Sequence, residues 1–236
     1  MPSHRAPGDL LHDRLIGLAG TPDADPAVPR SLIAIAQLSA DRIAAVSYAS
    51  VTGRLSGGYT TVAASSELAG AVDQAQYADG GPCVAALDSG EPMLVEDISA
   101  VMTWPGFRET AVEIGLRASL SIPLFAGRGT PIASLNLYGR DAAAMRELSA
   151  AVLSVYNATL VAWECPDDLD RGAGELVGGL NDAFAVRAVV QQAIGVVMAL
   201  TAKDLAGAYS SLCVRAAQTG STLTQAAAQV VSGRRW

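Results

Sequence analysis

The sequence predicts an α+β fold: an antiparallel sheet covered by helices, then a separate trio of helices. Three observations carry that reading. Residues 118–125 (Ala-Ser-Leu-Ser-Ile-Pro-Leu-Phe) and 131–138 (Pro-Ile-Ala-Ser-Leu-Asn-Leu-Tyr) alternate in the period-two pattern of strands at the centre of an antiparallel sheet. Helical 3–4 spacing of apolar residues surrounds them, most clearly over 142–163 and 175–200. Between those two helices, Cys165-Pro-Asp-Asp-Leu-Asp-Arg-Gly-Ala-Gly174 has Pro, Gly and charge but no period. The boundaries expected are an N-terminal helix and linker over 1–29, a sheet domain over 30–164, a linker over 165–174 and a helical domain over 175–236.

Taken in order, residues 9–19 predict a short helix capped by Asp9, with Leu11, Leu15 and Leu18 on one face. The prolines between Gly20 and Pro29 break it, and a second helix carries Leu32, Ile33, Ile35, Ala36 and Leu38. Ile43–Val51 reads as a strand, Gly53, Gly57 and Gly58 as a turn, and Tyr59–Ala63 as the returning strand. Ser65–Gln76 reads as a helix capped by Ser65 or Ser66, and Gly80-Gly81-Pro82 turns the chain into a helix over 83–87. Glu91–Asp97 is expected as a strand, Trp104-Pro-Gly-Phe107 as irregular, and Ala111–Ile114 as a helical turn ended by Gly115. After the turn Gly127-Arg128-Gly129 and its strands, a helix with Leu148, Val152, Val155, Tyr156, Leu160 and Trp163 aligned closes the domain. Beyond residue 175 three helices are read: the first ends near Leu200. The second bears Leu205, Ala208, Tyr209, Leu212 and Ala216 up to Gly220, and the third opens on the capping box Thr222-x-x-Gln225 and bears Leu223, Ala227, Val230 and Val231.

Composition narrows the chemistry. The 236 residues are 50% hydrophobic, enough for a buried core in one or two domains. The net charge of −7 is uneven, −9 over residues 1–171 and +2 over 172–236, so an acidic body carries a mildly basic end. Cys83, Cys165 and Cys213 are odd in number and lack CxxC spacing, which predicts neither a disulfide framework nor a zinc site. His4 and His12 are the only histidines, which removes most triads and metal sites from the globular part. The charged first 30 residues lack a signal-peptide apolar region, and no run near 18 uninterrupted apolar residues occurs, so a cytoplasmic setting without membrane insertion is expected. No catalytic residue, metal or cofactor is assigned.

Two parts of the sequence resemble known modules. The C-terminal series Arg187, Val190, Gln192-Ala-Ile-Gly195, Met198, then Ala208-Tyr209-x-x-Leu212, Leu223 and Ala227 resembles an ANTAR domain, the three-helix RNA-binding module of transcription antiterminators. The body is similar to a GAF domain of the type found ahead of ANTAR, through Gln76-Tyr77, Gly81-Pro-Cys83, Asp97, Trp104-Pro-x-Phe107, Ser119–Leu124 and Ala133–Tyr138. The resemblance implies a dimeric, cytoplasmic regulator whose tail binds paired stem-loops in nascent mRNA while the body senses a signal. Arg187, Gln191, Gln192, Lys203, Arg215 and Gln218 are the residues expected to supply donors to RNA, helped by the helix N-termini at 202–204 and 222–224. Arg187, alternatively, pairs with Asp182 or Glu175, and Ala193 and Gly195 are expected in close helix packing.

In the body, the resemblance implies a pocket between the sheet and residues 104–107, with Cys83, Trp104 and Phe107 as candidates to line a small-molecule site. Cys83 at a helix start is either a thiol with lowered pKa or a buried, inert one. Asp97 is expected as a turn or cap acceptor. Ile194 and Cys213 stand where ANTAR helices often carry cations, which keeps open a second reading, a dimeric ligand-sensing or protein-interaction regulator without RNA binding. A third, methionine sulfoxide reduction by paired cysteines, finds only Cys83 in the sheet region.

Overall fold

The structure, a computed structural model, describes residues 10–55, 57–157 and 169–233. Helices α1 (Leu11–Ala19) and α2 (Val28–Arg42) precede the hairpin β1 (Tyr48–Leu55) and β2 (Gly58–Ala64). Helices α3 (Glu67–Asp79) and α4 (Pro82–Ser89) lead to β3 (Met93–Val95), a 3-10 turn at Ile98–Ala100 and α5 (Pro105–Glu113). Strands β4 (Ala118–Phe125) and β5 (Pro131–Gly139) are followed by α6 (Ala142–Tyr156), and the C-terminal helices are α7 (Arg171–Thr201), α8 (Leu205–Thr219) and α9 (Leu223–Val231). The strands form one sheet in the order β2-β1-β5-β4-β3, all neighbours antiparallel. The α+β class holds, with a helical region after the sheet.

Strand alternation sorts the sheet into two faces. Ala49 and Val51 of β1, Leu120, Ile122 and Leu124 of β4, and Ala133, Leu135 and Leu137 of β5 point one way into a core shared with α1, α2, α6 and the first half of α7. Ser50, Thr52, Ser119, Ser121, Ser134, Asn136 and Tyr138 point the other way. In most antiparallel sheets such a polar face meets water. Here α3 and α4 pack over it, and every one of those seven residues is fully buried.

Several boundaries differ from expectation for local reasons. The first strand begins at Tyr48 rather than Ile43, because α2 runs on to Arg42 and Ile43–Val46 then make a tight turn, with Val46 N–H donating to Ile43 O at 3.0 Å. Gly53 lies within β1, paired with Thr60. The expected irregular stretch at 104–107 is the start of α5, with Trp104 at its N-cap and Pro105 at the first helical position, where its missing N–H costs nothing. Leu160, Trp163, the Asp9 cap and residues 165–168 of the expected linker lie outside the described residues. From Asp170 onward the interval is not loop: its carboxylate accepts from Gly172 and Ala173 N–H at 2.8 and 3.1 Å and starts α7 at Arg171.

Helix α7 belongs to two cores. Ala173, Leu176, Val177 and Leu180 are buried with the sheet domain, and Val190, Ala193, Ile194 and Val197 are buried with Ala208, Leu212, Leu223, Ala227 and Val230 of α8 and α9. Its first half lies along α1: Glu175 accepts the Leu11 N–H at 3.2 Å and pairs with Arg42 at 2.9 Å, while His12 Nε2 meets Asp182 at 3.0 Å. Gly179 permits that approach, since a Cβ there would sit 2.8 Å from His12 Cα. The helix is long and apolar enough to cross a membrane, with mean hydropathy 1.7, yet α1, α2, α6, α8 and α9 pack against it. The Thr222–Gln225 capping box forms, and Gly220 ends α8 in the left-handed region at φ +62. Leu205 and Val231, read among the apolar positions of the second and third helices, are exposed, as is Leu200 at the end of α7. Gly195, expected in close packing, faces open space, while Ala193 is packed as expected.

Gly179→Ala is expected to lower stability by about 1–3 kcal/mol through the clash with α1. Gly17→Ala, in an open position of α1, is expected to raise it by about 0.5–1 kcal/mol. Urea midpoints of the two variants measure the contrast.

Candidate functional site

The polar face of the sheet is organised by one carboxylate. Ser66 caps α3 by accepting the Ala69 N–H at 3.3 Å, and the helix then presents Asp73, Gln76 and Tyr77 at 3–4 spacing. Asp73 is fully buried. Its Oδ1 accepts from Ser50 Oγ and Tyr138 OH, each at 2.7 Å, and from Asn136 Nδ2 at 3.2 Å. Its Oδ2 accepts from Thr61 and Thr52 hydroxyls at 3.1 and 3.4 Å. Ser134 donates to Asn136 Oδ1 at 2.9 Å, and the Tyr77 hydroxyl meets Thr61 at 2.7 Å. Burial pushes the Asp73 carboxyl above the ordinary carboxylate range, and the donors of Tyr138, Ser50, Thr61 and Asn136 pull it back. Burial raises the Tyr77 hydroxyl to about 12, with the Asp73 charge adding to it.

At the end of this network Gln76 joins three elements. Its amide donates to Val72 O and to Tyr138 OH at 3.2 and 3.1 Å, and its carbonyl accepts the Cys83 N–H at the start of α4 at 2.9 Å. The Cys83 thiol is fully buried, and burial, reinforced by the Asp73 charge, pushes it up to about 12. Of the two expectations for this cysteine, the lowered thiol is therefore overturned: desolvation outweighs the helix dipole. Phe107 is fully buried with Val72, Val95, Ile98, Ala111, Leu116 and Tyr138, and Trp104 packs half-buried against that cluster. Both aromatics thus act as packing lids over α3 and the sheet. Asp97 caps the 3-10 turn as expected, accepting from Ser99 N–H at 2.9 Å, and the Ser99 donors hold its carboxyl below the usual range. Ser119 and Ser121 of β4, on the same polar face, are buried with no hydrogen-bond partner among the described residues.

The six tail residues fall in three places. Arg187 stacks on Phe125 with 3.9 Å between the guanidinium carbon and the ring centroid, and Gln191 donates to the carbonyl of Arg128 in the turn between β4 and β5. Both therefore face the sheet domain, and the expectation that they point freely outward is corrected, as is the pairing of Arg187 with Asp182 or Glu175. Burial lowers the Arg187 pKa. Gln192 is exposed. Lys203, Arg215 and Gln218 come together along α8, lining an open groove of about 460 Å³ with Ser210, Ser211 and Val214. Lys203 Nζ donates to Ser211 Oγ at 2.6 Å.

The helix starts expected to attract anions are already engaged. Asp204 accepts the Gly207 N–H at 2.8 Å, and Thr222 accepts the Gln225 N–H at 3.1 Å. Ile194 is buried in the core of the trio and Cys213 packs half-buried against it, so neither position belongs to the groove.

The residues that sequence reasoning missed are Asp73, Thr61, Tyr77, Asn136 and the serines of β1, β4 and β5. Part of the signal was present: alternation put polar residues on one sheet face, and the sheet was expected to be covered by helices. Once α3 and α4 cover that face, its polar groups need a satisfying partner such as Asp73.

A family model described as GAF domain matches residues 28–161. No curated protein matches the chain. Among solved structures, a domain described as belonging to a two-component sensor histidine kinase protein of Sinorhizobium meliloti 1021 is similar at 17% identity and a TM-score of 0.39, covering 72% of this chain and 92% of that one.

Tyr138→Phe removes one donor from the buried Asp73 carboxylate and is expected to cost about 1–3 kcal/mol. A carboxyl raised in the folded state contributes stability at low pH that is lost as pH climbs through its folded pKa. Removing a donor raises that pKa further. The penalty, read from urea midpoints, is thus expected to grow from pH 4 toward neutrality.

Proposed function

We propose that this chain, which belongs to the GAF domain family, is a signal-responsive regulator that binds paired RNA stem-loops through an ANTAR-like set of C-terminal helices and so controls transcription antitermination. GAF domains are signal-sensing and regulatory modules; the RNA-binding output is the inferred part. The observation that carries it is the α8 groove, where Lys203, Arg215, Gln218, Ser210 and Ser211 combine two cations with neutral donors over about 460 Å³. Cations neutralise phosphates, while amides and hydroxyls fit the exposed base edges of RNA loops. Relative to the sequence reading, the RNA face keeps Lys203, Arg215 and Gln218 and loses Arg187 and Gln191 of α7.

The signal is proposed to be received at the polar sheet face, where the buried hydroxyls of Ser119 and Ser121 are available to a polar small molecule admitted beside the Asp73 network. The protein is proposed to act without catalysis, in the cytoplasm and as a homodimer. Along the outward side of α7, Ala185, Ala188, Gln192, Gly195 and Ala199 are exposed at alternating spacings of three and four, flanked by Val196 and Leu200. Only 22% of the most apolar window of α7 is buried within one chain, which suits a second copy against it. Sedimentation is expected to give a dimer at micromolar concentration.

A second reading, a dimeric ligand-sensing or protein-interaction regulator without RNA binding, is favoured by one observation: Arg187 and Gln191 are held against the sensor. Gel shifts with tandem stem-loop RNA separate the two. Lys203→Ala and Arg215→Ala are each expected to weaken binding and to lower the salt-dependence slope by about 0.7–0.9. Wild-type affinity equal to that for scrambled RNA would leave the second reading standing.

A further inference from the structure

The join between the sensor and the C-terminal helices is made by side chains that neither the polar network nor the α8 groove uses. Its centre is Asp23, in the loop between α1 and α2. One carboxylate oxygen accepts the Arg128 N–H at 2.9 Å, and the other accepts Arg128 Nε at 3.2 Å. The Tyr209 hydroxyl of α8 accepts the Asp23 N–H at 3.1 Å and donates to Asp23 Oδ1 at 3.3 Å. The Arg128 guanidinium lies 5.6 Å from the Tyr209 ring centroid. The same β4–β5 turn receives Gln191 on its Arg128 carbonyl, and Arg187 stacks on Phe125 at the end of β4.

The turn is shaped for this contact. Gly127 and Gly129 adopt φ of +26 and +80. A Cβ at 127 would collide with the Tyr209 hydroxyl, and one at 129 would collide with the Gln191 amide and stand 3.2 Å from Arg187 Nε. The glycines therefore serve both the backbone conformation and the approach of two helices.

We infer that the Asp23–Arg128–Tyr209 cluster is a clasp that holds Arg187 and Gln191 against the sensor and out of reach of RNA, and that release of the clasp is the output of the sensor. This rests on the RNA-binding reading and deepens it: the α8 groove gives basal contact, and the freed α7 donors add to it. The side chains of Asp23 and Arg128 are 15% and 42% exposed, so their ion pair is only partly desolvated and each contact is modest. A hold of that size lies within reach of a ligand bound elsewhere in the sensor. By linkage, RNA that recruits Arg187 and Gln191 must open the clasp, and opening the clasp must tighten RNA binding by the same factor.

The full chain is tested with tandem stem-loop RNA by fluorescence anisotropy, alongside hydrogen exchange over residues 187–191 and 205–209. Asp23→Ala removes the hub; Tyr209→Phe removes only a hydroxyl and keeps the ring in place. Each variant is expected to exchange faster in both segments and to bind the RNA about 5- to 150-fold more tightly. Unchanged exchange in both variants overturns the clasp. Faster exchange with affinity equal to that of a binding-competent wild type overturns the gating alone. A chain that binds tandem and scrambled RNA alike in every variant overturns the RNA-binding reading and the gating with it.

Discussion

Leu176, Val177 and Leu180 are buried among the helices of the sensor, while Val190, Ile194 and Val197, further along the same unbroken α7, close the core of the C-terminal trio. Leu180 and Val190 are about 15 Å apart along the helix axis at 1.5 Å per residue. A helix that satisfies two cores ties the position of one to the position of the other. The tail has little means of standing alone: Ala193, Ala208, Ala216, Ala226 and Ala227 make up much of its buried set, and small side chains remove little apolar area from water. Its stability therefore depends on α7 being fixed from the sensor side, through α1, Glu175 and Arg42.

The sensor carries a cost that a merely structural sheet would avoid. A face of serines, threonine, asparagine and tyrosine buried under α3 and α4 has to be hydrogen-bonded group by group, and Asp73 does so for β1, β2 and β5 at once. Across β4 the arrangement is incomplete, since each unpaired buried hydroxyl costs on the order of 1–3 kcal/mol. Polar faces of this kind respond to changes in their own hydrogen bonding more than apolar cores do, because one displaced donor leaves a charged acceptor exposed to low dielectric. The polar face includes residues of β4 and β5, whose connecting turn carries Arg128.

Much of the fold was legible in the residues. The alternation of 118–125 and 131–138 gave β4 and β5 their correct faces, and Ser66, Gly220 and the Thr222–Gln225 pair marked helix ends by local chemistry that tertiary context left intact. Glycine misled where it served packing: Gly53 sits inside β1 against Val62, and Gly172 lies within α7 against the Arg42 backbone rather than in a linker. The candidate site was less legible because periodicity says which residues share a face, not what the face meets. Arg187 and Gln191 do share a polar side of α7, but that side lies on Phe125 and the β4–β5 turn, whereas Lys203, Arg215 and Gln218 keep an open surface. Cys83 follows the same rule, placed correctly at a helix start yet governed by its burial.

Scanning calorimetry of the intact chain tests the shared helix most directly. The two cores joined through α7 predict a single endotherm whose calorimetric and van't Hoff enthalpies agree. Two separated endotherms, the lower accompanied by loss of the helical signal of α8 and α9 while the sheet domain remains folded, would contradict it.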